Sequence, residues 1–580
     1  MILQALVKHY EDLLEKGQIP QPGWGTEKVS FQLNIDSQGK LLDLVSLKRE
    51  VDNGKKKVLV PRDIQVPQRV KRASGINANF LCDNSSYVFG IDEKGKPERS
   101  LQCFQAFREL HHQILDSIDS ETARAILLFL DGWEPEKAKE YECVVSHWKD
   151  LMKGANILLY VEGISSVEDA KTRAGWQEHY ENSDGDSDCI CMVTGKRTKA
   201  AILHPIIKGI YGAQAMGTSL VSYNAPAFCS YGKEQGKNAS VGEYAAAAYG
   251  AALNHLLNDR EHVRSIGDTT VVCWAEGAEE KYQDAALAAF MGESDRNKIS
   301  EDDIRAILKA ALQGAPLDLK NVDLDMGRPF YILGLAPNAA RLSVRFFYQD
   351  SFGNLLRNVA RHYERMEIIR PAKDPFERLP AWKMLQETVN QNAKDKSPSP
   401  QMAADTLKAI LSDSYYPDSL INGVMLRIRA EHKITRGRAA TIKAFYLKNT
   451  NPKCPKEVLQ MQLNEQSTNI PYNLGRLFAV LEHIQQEANS GINATIKDKY
   501  FNTAASTPSH IFPFLINLSQ KHLKKIKEPN KKVYFEKNIQ NIVEKLGEKF
   551  PDRMTLPEQG SFQLGYYHQT QKRYQKKEEK

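Results

Sequence analysis

Strand-forming sequence runs out near residue 370. Before that point, short runs rich in β-branched and aromatic residues recur at Phe31–Ile35, Lys57–Val60, Tyr87–Ile91, Ile157–Val161, Thr269–Trp274 and Phe330–Leu335, the last followed by the alternating Arg341–Tyr348. Beyond it, apolar residues recur only at three- and four-residue steps: Leu420, Val424 and Ile428; Leu474, Leu477, Phe478 and Leu481; Ile511, Leu515, Leu518 and Leu523; Ile539, Ile542, Val543 and Leu546. That spacing predicts the amphipathic helices of a bundle. The chain is therefore expected to be α+β: a mixed α/β body over 1–370, a boundary segment over 371–403, where five prolines fall between Pro371 and Pro400, and an all-α helical bundle over 404–580. At 580 residues it is too long for one core and is expected to form about two to four domains. It shows no repeat with a fixed period of about 20 to 50 residues, which disfavours a solenoid.

Charge divides at the same place. Residues 371–580 carry 33 Lys and Arg against 21 Asp and Glu, a net of +12, and the remainder carries 45 against 51, a net of −6. A basic helical domain is the electrostatic footprint of something that lies along phosphates, and it is equally the composition of a solubilising face. Apolar content of 42% and charged content of 26% exclude wholesale disorder and membrane residence. No apolar stretch reaches the roughly 18 residues of a spanning helix. The N-terminus places Ile2, Leu3, Leu6, Val7, Tyr10, Leu13 and Leu14 at helical spacing, a core-docked helix rather than a signal peptide, so a cytoplasmic location is expected. The eight cysteines are scattered and read as reduced, mostly buried thiols.

Catalytic motifs fail on inspection. Thr194–Arg197 reads TGKR, but Ile190 stands where a phosphate loop needs its first Gly and Arg197 where it needs Ser or Thr. DGDSD at 184–188 lacks the later Gly and Glu of a calcium loop. Cys189 and Cys191 with His204 offer at most part of a zinc set, and no second Cys pair lies at finger spacing. His111 and His112 fall in an expected helix with no evident carboxylate partner, and HExxH, GxSxG and kinase motifs are missing. No catalytic centre, cofactor or metal is expected, although dispersed carboxylates of a metal-dependent nuclease would leave no local trace.

Two loops rich in Gly, Asn, Ser and Gln stand out instead. In the first, Lys71 and Arg72 precede Ser74 and Gly75, followed by Asn77, Asn79 and Asn84. Amide side chains read base edges, cations hold flanking phosphates, and Gly lets backbone enter a groove. The same composition suits an ordinary Asx-rich turn leading into a strand at Tyr87. In the second, Gln214, Asn224, Ser230, Lys233, Gln235, Lys237 and Asn238 form a polar collar before a small-residue helix, a composition suited to backbone or groove contact. The expected strand-binding cations of the bundle are Arg427, Arg429, Arg436, Arg438 and Lys443, then Lys524, Lys525 and Lys527 within KHLKKIKEPNKK.

These segments carry a resemblance. CMVTGK at 191–196, HPIIKGIYGAQ at 204–214, AFCSYGKEQGKNASV at 227–241 and GLAPNAARLSVRFF at 334–347 resemble signatures of the large subunit of the type I-C CRISPR surveillance complex, Cascade, and the likeness extends over the whole chain. The resemblance implies a subunit that recognises the protospacer-adjacent motif in duplex DNA, promotes unwinding, supports the R-loop while guide RNA pairs with the target strand, and recruits a helicase-nuclease without cutting. It implies CRISPR RNA, double-stranded target DNA, the displaced single strand, the Cascade backbone subunits, the crRNA-processing subunit and, on the phage side, anti-CRISPR proteins as partners, with no membrane. It assigns motif reading to the stretch Lys71–Asn84, with Gln214, Lys233, Gln235 and Asn238 expected to support DNA backbone or wedge contacts. It also implies a small subunit made from an internal start, for which Met461 is the candidate and Met425 the second choice; residues 461–580 number 120, enough for a compact bundle. A structural RNA-binding subunit is the remaining alternative.

Overall fold

A computed structural model describes residues 1–52, 57–70, 75–91, 97–182, 189–291, 301–313 and 324–574. They fall into two compact units, Leu3–Pro205 with Val221–Ala252, and Ile206–Leu220 with the chain from Leu253 onward.

The first unit is built on a mixed sheet. Its strands are β1 (Phe31–Ile35), β2 (Leu41–Ser46), β3 (Cys82–Asn84) and β4 (Asn156–Val161), in the order β2-β1-β4-β3. β1 runs parallel to β4 and the other pairs are antiparallel. Phe31, Leu33 and Ile35 are wholly buried while Gln32 and Asn34 are not, so the two-residue period fixes which face meets the core. The helices α1 (Ile2–Glu15), α2 (Ser85–Val88), α3 (Pro97–Leu115) and α4 (Glu121–Gly132) belong to this unit, and Phe107, Phe129 and Trp133 close its core. The expected strand at Tyr87–Ile91 is instead the short helix α2. Asn84 turns the chain there by accepting the Ser86 N–H at 3.1 Å, so cap chemistry overrides the aromatic and β-branched run.

The second unit carries a six-stranded sheet: Ile206–Ile207, Thr218–Ser219, β7 (Arg341–Ser351), β6 (Pro329–Asn338), β5 (Thr269–Ala275) and Arg264–Ile266, in that spatial order. Every residue of β5 is buried, and after its two threonines the strand reads accordingly as an unbroken apolar run. After Ser351 the described residues contain helices and no strand. The main ones are α5 (Phe352–Met366), α6 (Asp418–Glu431), α7 (Arg436–Lys448), α8 (Ile470–Ala488), α9 (Ile496–Ser506), α10 (Pro508–Leu523), α11 (Pro529–Val543) and α12 (Leu556–Lys572). The α+β class and the helical C-terminal region are thus as the periodicity requires. The proline-rich segment 371–403 contributes Leu379, Met384 and Leu385 to the same apolar core that holds the sheet and the helices.

Two glycines set the closest helix crossing. A Cβ on Gly475 of α8 would lie 1.8 Å from the Phe562 carbonyl oxygen of α12, and one on Gly565 would lie 2.0 Å from that of Tyr472. The backbones touch, leaving no room for a side chain.

Candidate nucleic-acid interface

The first expected contact set is divided by the structure. Lys71, Arg72 and Ser74 lie outside the described residues. Gly75 is exposed at φ +93°, and its carbonyl accepts from the Arg99 guanidinium at 3.2 Å. Asn77 is exposed, with its N–H donating to the Tyr87 hydroxyl at 3.3 Å. Asn79 requires correction as a base reader: it is only 3% exposed, its Oδ1 accepts the Val70 N–H at 3.0 Å, and its own N–H donates to the buried Asp83 at 2.9 Å. A buried amide tying one end of the loop to the other does not reach a base edge. Asn84 is likewise spent, as the cap of α2.

The second set is split between the units. Gln214 belongs to the second, in an exposed turn closed by the Gly217 N–H on its carbonyl at 2.9 Å. Lys233, Gln235 and Asn238 belong to the first. There Asn238 latches the loop from within: Oδ1 accepts the Ser230 N–H at 2.9 Å, and Nδ2 donates to the carbonyls of Lys233 and Gln235 at 3.0 Å each. Gly236 pins it from below, donating to the Ile202 carbonyl at 3.0 Å, where a Cβ would sit 1.8 Å from the Ala201 oxygen. Tyr231, Gln235 and Ser240 all adopt positive φ, so the loop is both strained and braced. What it presents is Lys233, Gln235 and Tyr231, the last 100% exposed. Tyr231 was not singled out from the sequence; an aromatic between Ser and Gly in a lysine-bearing loop was the available signal.

The cations of the bundle also need correction. Arg436, Arg438 and Lys443 lie on α7, which is buried on nearly all sides. Arg438, 3% exposed, pairs with Glu431 at 2.6 Å and Glu387 at 3.4 Å and donates to the Lys433 carbonyl. Arg436 holds Asp374 at 3.5 Å and the Glu377 carbonyl at 2.8 Å. The Lys443 ammonium caps the end of α5 on the Arg365 carbonyl at 3.1 Å, and burial pushes its pKa down to about 8. These three fasten α7 internally and are closed to phosphates. Arg427 faces Glu431 at 3.8 Å, and the exposed Arg429 donates to Gln559 at 2.8 Å. Lys524, Lys525 and Lys527 are exposed in the turn after α10, where the Lys525 ammonium donates to Asn489 Oδ1 at 3.4 Å.

The other chemistry-bearing residues have structural work. Cys191 is buried and its sulfur accepts amide hydrogens from Gly242 at 3.3 Å and Val193 at 3.4 Å. Burial opposes ionisation there, but these bonds and the Thr194 hydroxyl hold the thiol below its usual range. His204 lies against the Tyr249 hydroxyl at 2.8 Å, and no three His, Cys, Asp or Glu among the described residues converge as a metal set. His111 accepts the Leu81 N–H at 3.0 Å inside the core. His112, expected to lack a carboxylate, sits between Asp116 at 2.8 Å and Asp131 at 3.0 Å, whose hydrogen bonds raise its pKa. No helix of the described residues is long and apolar enough to cross a membrane.

No curated protein matches the chain. The family model described as CRISPR-associated protein (Cas_Csd1) matches residues 6–574, nearly the full length, and the chain belongs to that family.

Proposed function

We propose that the chain is the large subunit of a type I-C CRISPR RNA-guided surveillance complex, that it reads the protospacer-adjacent motif in duplex DNA, and that it cuts nothing itself. Family membership over nearly the full length is the observation that carries this reading. The braced loop at 229–239 supports it, because a preorganised backbone presenting Lys233, Gln235 and Tyr231 meets DNA without an ordering cost. Gly75 and Asn77, with the neighbouring Lys71, Arg72 and Ser74, remain the proposed motif contacts, and Lys524, Lys525 and Lys527 the proposed phosphate contacts. The rest of the assignment follows the same reading: unwinding, R-loop support, recruitment of the helicase-nuclease, and an internal product from Met461.

The test is binding by the assembled complex to duplexes with and without the motif. Asn77→Ala should erase the discrimination, by about 1–3 kcal/mol for one good base contact. Unchanged discrimination sinks the loop assignment. Magnesium-dependent cleavage by the purified chain would establish the nuclease alternative instead, and binding to RNA without any motif-dependent duplex binding would establish the structural RNA-binding one.

A further inference from the structure

Four helices of the second unit enclose a polar cleft of about 220 Å³. Its walls include His483 and Gln486 of α8, Lys497 of α9 and Tyr534 of α11, with Arg573 and Tyr574 following α12. Lys497 stands in the first turn of α9, fixed by the Thr495–Asp498 capping box. Its ammonium lies 4.7 Å over the Tyr566 ring and forms no ion pair among the described residues. The neighbouring Glu482, which also lines the cleft and whose two oxygens accept the Thr495 hydroxyl at 2.8 Å and the Tyr566 hydroxyl at 2.6 Å, acts on the ammonium through space without pairing with it. Burial lowers the Lys497 pKa, against the carboxylates of Glu482 and Asp498, which raise it. His483 adds no charge, since burial pushes its pKa down to about 4. Arg573 is held by Gln486 Oε1 at 2.8 Å with its guanidinium 5.5 Å from the centre of the Tyr574 ring. The rim aromatics Tyr534 and Tyr574 are 51% and 65% exposed.

An ammonium in the wall that forms no ion pair, a guanidinium positioned by an amide, and exposed aromatic faces at the mouth are the parts of a single-strand binding site, where rings stack bases and cations follow the backbone. The cleft is smaller than the roughly 300–1,000 Å³ of pockets that enclose a whole drug-sized ligand, so it suits one nucleotide unit rather than a dinucleotide cofactor. A paired base cannot enter a concave site without leaving its stack. We infer that this cleft receives one nucleotide of a single strand, its base against Tyr534 and Tyr574 and its phosphate toward Lys497 and Arg573. The inference rests on the reading of this chain as a DNA-binding subunit and adds a defined single-strand site to it.

The experiment measures fluorescence anisotropy of a labelled oligothymidylate with the full chain, at one fixed salt concentration. Lys497→Met, which keeps the packed stem, and Tyr574→Ser, at an exposed position, should each weaken binding about tenfold, with melting temperatures unchanged. In parallel, an oligonucleotide carrying 5-iodouracil is photocrosslinked to the unaltered chain, with adducts expected on the peptides holding Tyr534 or Tyr574. Unchanged affinity in both variants, adducts confined to other peptides, or polyglutamate competing as well as oligothymidylate would each overturn the site. Motif discrimination on duplexes, measured alongside, separates the two readings: discrimination kept while the cleft tests fail removes only the cleft, and discrimination absent from the unaltered complex removes the parent reading.

Discussion

Asn238 offers the sharpest test of how the loop at 229–239 is held. Its amide orientation follows from its surroundings, since one end meets an N–H and the other meets two carbonyls. Asn238→Ala deletes all three hydrogen bonds. The side chain is partly exposed, so the low end of the usual range applies, about 0.5–1 kcal/mol for each bond. The three together stabilise the closed loop by about 1.5–3 kcal/mol, which raises the open population about ten- to a hundredfold when they are removed. Asn238→Asp is the more telling change, because it keeps the acceptor for Ser230 and places an oxygen against the Lys233 and Gln235 carbonyls. It should open the loop at least as much as Ala, despite identical size.

The assay is native-state proteolysis, with initial rates of chymotryptic cleavage after Tyr231 and tryptic cleavage after Lys233 read by mass spectrometry. When reclosing outpaces cleavage, these rates follow the open population. Both variants should cleave about ten to a hundred times faster while the global melting temperature holds, because the loop lies outside both apolar cores. Rates equal to those of the unaltered chain would show that the amide is not the latch. So would an Asp variant that behaves like Asn.

Three further outcomes are expected. Gly475→Ala and Gly565→Ala should each lower the thermal midpoint by calorimetry, since overpacking costs about 1–3 kcal/mol against a helix-propensity gain of about 0.5–1 kcal/mol, whereas Gly132→Ala, with nothing within 4 Å, should not. Burial holds His111 near pKa 4 and His362 and His568 near 3, so all three stay neutral in the fold while their unfolded counterparts protonate below about 6.5. Their stability is present above that value and is lost as the pH falls toward 4 to 3, about 2 kcal/mol each at pH 5; His112 and His262, both raised, act in the opposite sense, and His362→Gln should flatten the fall in midpoint between pH 7 and 5. Replacing Lys524, Lys525 and Lys527 by Ser should reduce the slope of log affinity against log salt by about 0.9 for each phosphate that these lysines neutralise, without changing motif preference, as read by titration at several salt concentrations.

What the sequence made legible follows from range. Helices after Ser351 and the alternating strand Phe31–Ile35 could be anticipated because their burial period is carried by residues three, four or two apart. The errors sit where a distant partner decides. Arg436 and Arg438 look like a basic helical face until Asp374 and Glu387, some 50 to 60 residues earlier, close over them. His112 is the exception, since Asp116 stands four residues on at helical spacing and was within reach of the sequence; only its second carboxylate, Asp131, comes from the next helix. Asn79 and Asn238 have the same local composition of Gly and amides around them, yet one is buried against Val70 and Asp83 and the other is the clasp of an exposed loop. Composition therefore located both loops but did not separate residues that shape them from residues that face outward. That distinction changes the reading of the basic region most: once α7 is removed from the solvent-facing set, the outward cations that remain include the turn after α10 and the cleft between α8, α9, α11 and α12. Strand contacts proposed for these helices therefore draw on exposed cations such as Arg429, the turn lysines and the cleft, and not on α7, so substitutions at the three turn lysines or at Lys497 should weaken binding where Arg436→Gln or Arg438→Gln acts only through stability.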